Sequence, residues 1–144
     1  MNRIVLDTNV LVSALLSSGP PAVITDMVAG GVLVPFYNEL IISEYWEVLR
    51  RPKFGFHSHQ VDRLIDAIVR TGTAVKASES GVLSMPHKDD KKFYDAAKAS
   101  LACLITGNIK HFPPEPFIIT PAGFLRAFRQ GPGHPPDRKD RLTP

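Results

Sequence analysis

The chain has one cysteine in 144 residues, Cys103, so no disulfide can form within it. That residue sits in the apolar run Leu101-Ala102-Cys103-Leu104-Ile105 and reads as a small core side chain. No apolar stretch reaches the roughly 18 residues that a membrane-spanning helix requires. The N-terminus opens on strand-like sequence without a signal-peptide pattern. The expectation is a cytoplasmic protein with no membrane partner. A strong charge of one sign is also missing: the formal net charge is +3, and two of those three charges fall in 129–144. The remaining body could bind nucleic acid through a local patch, but its global charge does not demand it. There is no glycine-rich phosphate loop, no nucleophile elbow and no Cys/His pair with motif support. The histidines offer no zinc set, since His57 and His59 flank Ser58 in a loop-like segment with no cysteine partner.

What is present is a chain whose apolar fraction, 44%, suits one soluble globular domain. Short Ile/Val/Leu-rich runs alternate with segments of helical spacing. Strands are expected at 2–6, 32–35, 103–105 and 117–120, with a short one at 73–75. Helices are expected at about 9–17, 21–29, 38–51, 59–71, 89–100 and 121–128. Asn38 suits a helix N-cap, and Pro52 stops that helix. Residues 77–88 read as mostly loop. The segment 129–144, with Gly131-Pro132-Gly133-His134-Pro135-Pro136, reads as a disordered tail beyond a domain at 1–128. Trp46 and Phe36 read as core residues. The alternation argues for α/β class, a parallel sheet covered by helices on both faces. In such sheets ligands gather beyond the carboxyl ends of the strands.

Four acidic or amide groups end hydrophobic segments: Asp7, Glu44, Asp90 and Asn108. Carboxylates gathered near apolar surface repel one another and lose hydration, and a divalent cation would offset both costs. Asp7 and Asn108 each lie just past a predicted strand; if those strands are neighbours, both groups point into one crevice. Asp7-Thr8-Asn9 could equally be only a helix cap. Glu44 shares a helical stripe with Leu40, Ile41 and Val48, whereas Glu47 falls on a polar face. A glutamate on that stripe should be paired, protonated or bound to a cation. Asp90 shares a stripe with Phe93, Tyr94 and Ala97, and Asp89 can make a similar claim through Phe93 and Ala96. Asn108 follows Thr106-Gly107 in a sharp turn, a position asparagine also fills for backbone reasons alone. His111 could approach a phosphate or be a plain loop histidine.

Taken together and in order, Leu6-Asp7-Thr8-Asn9-Val10-Leu11, Glu44-Tyr45-Trp46-Glu47-Val48-Leu49 before Arg51-Pro52, Asp90-Lys91-Lys92-Phe93-Tyr94-Asp95-Ala96-Ala97, and Thr106-Gly107-Asn108 before Lys110-His111-Phe112-Pro113 resemble the motifs of PIN-domain ribonucleases. The resemblance runs from residue 2 to about 128 and is nearest to the VapC-like branch of toxins from toxin–antitoxin systems. It implies a three-layer α/β/α sandwich with a central parallel sheet. It implies Mg²⁺ or Mn²⁺ held by Asp7, Glu44 and Asp90, hard oxygen ligands for a hard cation, and selects Asp90 over Asp89 by its spacing to Phe93. Many PIN domains carry aspartate at the position of Asn108, so one negative charge is missing.

The resulting expectation is a metal-dependent endoribonuclease, the toxin of a toxin–antitoxin pair. Asp7, Glu44 and Asp90 would hold metal, while Thr8, Thr106 and Asn108 would orient water or phosphate. Lys91, Lys92 and Lys110 could contact the RNA backbone. Its partners would be RNA, an antitoxin protein and, in a homodimer, a second copy. A phosphatase with an aspartyl nucleophile fits less well, because its acid/base position two residues on holds Asn9. The alternative that stays open is a weakly catalytic or inactive PIN module that binds RNA or an antitoxin.

Overall fold

The fold was read from a computed structural model, which describes residues 2–76 and 88–130. The expectations for 77–87 and for 131–144 lie outside the described residues. Five strands form one sheet: β1 (Arg3–Leu6), β2 (Val34–Tyr37), β3 (Thr73–Ala74), β4 (Cys103–Ile105) and β5 (Ile118–Ile119), in the order β3-β2-β1-β4-β5. Every pairing is parallel. Ile4, Val5, Leu6, Leu104, Ile105, Ile118 and Ile119 are all buried. Continuous apolar runs of this kind are what a sheet covered on both faces demands. The α/β/α sandwich expected from the sequence is the architecture observed.

Among the described residues six α-helices cover the sheet: α1 (Thr8–Leu16), α2 (Pro20–Ala29), α3 (Glu39–Leu49), α4 (Ser58–Thr71), α5 (Lys91–Ser100) and α6 (Pro121–Arg129). Short 3₁₀ turns occur at Lys88–Asp90 and Ile109–His111. Helix α5 packs across β1, β2 and β4, while α1 packs on α2 and α3. No single helix among the described residues is long and apolar enough to cross a membrane.

Boundaries follow local chemistry. Asn38 caps α3 by accepting a hydrogen bond from the Ile41 amide at 2.9 Å. Gly72 caps α4, its amide donating to the Ile68 carbonyl at 2.9 Å, and an added Cβ there would lie 2.3 Å from the Pro35 carbonyl oxygen and 2.5 Å from that of Ile68. Three expectations need correcting. The strand expected at 32–35 forms at Val34–Tyr37, because Gly30 and Gly31 lead into a turn in which Val32 and Leu33 donate to the Met27 carbonyl. Phe36 is buried as expected, but Trp46 is 56% exposed, its ring lying under the Arg50 guanidinium at 4.2 Å. Leu40 is also exposed, so the buried face of α3 is Ile41, Tyr45 and Leu49, and Glu44 stands at its edge.

Candidate metal and phosphodiester site

Strands β1 and β4 are neighbours in register, with Leu6 opposite Ile105. That register sets Asp7 beside Thr106 at the carboxyl edge of the sheet, and the Asp7 amide donates to the Ile105 carbonyl at 3.0 Å. Here the two halves of the sequence motif meet. Asp7 is 4% exposed. Its Oδ2 accepts from Thr106 Oγ1 at 2.8 Å and from Asn9 Nδ2 at 3.2 Å. Asn9 Oδ1 in turn accepts from the Gly107 amide at 3.1 Å, which ties the start of α1 to the turn after β4.

The other expected residues join the same network. The Asn108 amide donates to Thr106 Oγ1 at 3.0 Å, so one buried hydroxyl serves both Asp7 and Asn108. The Asn108 side-chain nitrogen lies 2.7 Å from His111 Nε2, and His111 Nδ1 lies 3.0 Å from Asp90 Oδ2. An unbroken chain thus runs Asp7–Thr106–Asn108–His111–Asp90. On the other side Thr8 donates to Glu44 Oε2, and Lys92 pairs with Glu44 Oε1 at 2.7 Å. Glu44 is positioned through its neighbour: the buried Tyr45 hydroxyl donates to the Leu6 carbonyl at 2.5 Å, pinning α3 to the end of β1.

All six residues expected at the site therefore lie in two hydrogen-bonded groups that meet at the consecutive residues Asp7 and Thr8. Asp89 is exposed while Asp90 reaches His111, which separates the two acids on geometry. Two partners went unrecognised in the sequence. His111, which could have been a plain loop histidine, bridges Asn108 and Asp90. Lys92, expected to meet an RNA backbone, is engaged by Glu44, and Lys91 pairs with the buried Asp95 at 2.9 Å. The i, i+4 spacing of Lys91 and Asp95 was a legible signal; the Lys92–Glu44 pair joins two helices and had none.

The electrostatics are those of a crowded acidic site. Burial raises the Asp7 carboxyl to about 6, the Thr106 hydrogen bond opposes that rise, and the charges of Asp90 and Glu44 add to it. Burial, then the charges of Asp7 and Glu44, pushes the Tyr45 phenol well above its ordinary value. A hard divalent cation suits these donors, which are carboxylates and an amide, and it would relieve the repulsion that Asp7 feels. Yet no three His, Cys, Asp or Glu side chains among the described residues are gathered to hold a metal ion. Glu44 is drawn to Lys92 and Asp90 to His111. Mg²⁺ usually keeps several waters and takes only one or two carboxylates directly, so it does not need such a gathering. Beside the network a cleft of about 340 Å³ opens between Asn9, Asn108, Ser13 and Pro121.

Fold and site together define a parallel α/β protein with a hydrogen-bonded network of Asp7, Thr106, Asn108, His111 and Asp90 at the sheet's carboxyl edge. The PIN domain family model matches residues 3–110, and the chain belongs to that family. PIN domains are generally nucleases and typically use divalent metal ions. No protein of curated function and no solved structure matches the chain.

Proposed function

We propose that the protein is a metal-dependent endoribonuclease and the toxin of a toxin–antitoxin pair. The observation that carries the nuclease reading is the hydrogen-bonded chain Asp7–Thr106–Asn108–His111–Asp90, with Glu44 attached through Thr8, at the edge where parallel sheets present ligands. Asp7, Glu44 and Asp90 would hold Mg²⁺ or Mn²⁺. When bound, such an ion supplies charge neutralisation at a phosphate oxygen and a lowered pKa for water. Asp7 must be ionised to take part, and it is the most buried of the three carboxylates. Thr106 fixes its carboxylate, Thr8 fixes that of Glu44, and the Asn108 amide offers an oxygen to water or phosphate. The cleft beside Asn9 and Asn108 is large enough for part of a nucleotide. RNA as substrate, an antitoxin as partner and a homodimer are carried by the motif resemblance.

A second reading is favoured by the Lys92–Glu44 pair, which occupies one of the three carboxylates with a lysine. A module that binds RNA or an antitoxin without cutting would keep that pair. The two readings separate in one assay: labelled single-stranded RNA incubated with the protein and Mn²⁺, Mg²⁺ or EDTA, beside Asp7→Asn. The expected result is cleavage that EDTA and the substitution each abolish. Cleavage surviving either one sinks the metal mechanism, and intact RNA with a folded protein favours the binding module.

A further inference from the structure

We infer that His111 is a positioning residue: through the tautomer that carries its hydrogen on Nδ1, it bridges Asn108 to Asp90 and sets which oxygens the two side chains present to the site. The geometry fixes the roles one after another. The Asn108 side-chain nitrogen, 2.7 Å from Nε2, can only donate, so Nε2 carries a lone pair. The ring hydrogen of the neutral form is then on Nδ1, 3.0 Å from Asp90 Oδ2, which accepts it. Every donor in the bridge meets an acceptor. One amide hydrogen of Asn108 and Asp90 Oδ2 are engaged by the ring, which turns Asn108 Oδ1 and Asp90 Oδ1 away from it.

The imidazole is itself held by backbone. The His111 amide donates to the Asn108 carbonyl at 3.0 Å, the Phe112 amide to the Ile109 carbonyl at 3.0 Å, and the Phe112 ring is buried. The short turn therefore carries the ring from β4 across to the start of α5. It also assigns a reason for an amide at 108. An aspartate there would set a carboxylate oxygen against the Nε2 lone pair, two acceptors face to face, unless the ring turned or took up a proton. Asn108 and His111 are a matched pair.

The bridge is a property of this chain alone; its effect on metal binding rests on the nuclease reading. The test uses the full chain with ¹⁵N-labelled histidine, and His111→Gln identifies the His111 signals. Two-bond ¹⁵N–¹H spectra at pH 7.5 are expected to show the hydrogen of neutral His111 on Nδ1. Calorimetry with Mn²⁺ is expected to show 10- to 100-fold weaker binding in His111→Ala, in line with other residues that orient a ligand from behind. His111→Gln, which can donate and accept at once, should recover most of that loss, with thermal melts confirming that each variant is folded. A hydrogen on Nε2, or His111→Ala binding Mn²⁺ as the parent does, overturns the proposal. If the parent binds no Mn²⁺ while the hydrogen is on Nδ1, the bridge stands and the metal part of the function falls.

Discussion

Asp7 works against the stability of its own fold. Its carboxyl ionises at 3.8 in an unfolded chain and at about 6 in the protein. Below 3.8 both states hold the proton and the group contributes nothing. Between 3.8 and 6 the native state keeps a proton that the unfolded chain has released, so stability falls as pH rises. Above 6 the full penalty persists, up to about 3 kcal/mol. Asp7→Asn keeps an oxygen for Thr106 and removes the charge. It should therefore melt at a higher temperature than the parent at pH 7.5, with the gap closing towards pH 4, in paired calorimetric scans. On the proposed nuclease reading, initial cleavage rates should rise with pH through about 6, since only the ionised form can bind a cation. The identity of this residue was legible in Leu6-Asp7-Thr8-Asn9, but its burial was not, because that depends on Thr106 arriving from far along the chain. Glu44 teaches the converse. The stripe that singled it out included Leu40, which is exposed, so the residue that meets Thr8 and Lys92 stood out through a partly wrong face.

At the scale of elements, spacing and punctuation placed all five strands and six helices, and errors collected at ends. Val32 and Leu33 have strand-like side chains but sit in a turn closed onto Met27, a tertiary choice that periodicity does not see. The end of α4 is set more rigidly than sequence alone suggests. Gly72 has an ordinary φ of −98°, so its glycine is required by crowding and not by backbone handedness. The atoms an added methyl would meet are carbonyls of β2 and α4, which cannot step aside singly. Gly72→Ala should cost about 3 kcal/mol or more, read from the urea midpoint at unchanged slope. Trp46 shows the remaining blind spot: an aromatic in an apolar helix reads as core until an arginine from the next turn is seen to cover it.

For the whole molecule, the strand order decides what the site can be. Asp7 and Thr106 meet only because β1 and β4 are adjacent, and Glu44 and Asp90 join them from α3 and the start of α5. The sequence supplied the candidates and the rule that they gather at strand ends; it could not supply the order β3-β2-β1-β4-β5. A ligand that binds only this assembled edge must stabilise the entire fold. Mn²⁺ at 100 times its Kd should add about 2.7 kcal/mol, a rise of roughly 8 °C in the melting midpoint. EDTA should reverse it, and Asp7→Asn should not show it.

The hydrogen bond from Thr106 to Asp7 spans 99 residues of chain. Ribosomes add about 5–20 residues per second, so some 5 to 20 s pass between the synthesis of one partner and that of the other. Throughout that interval the nascent chain carries Asp7 without the Thr106 hydroxyl to hold its carboxylate. Parallel strands joined across such distances also pair slowly once present. A chain stopped before β4 lacks Thr106, Asn108 and His111; on the proposed ribonuclease reading, a growing copy therefore cannot yet assemble the site that would cut the RNA from which it is being read.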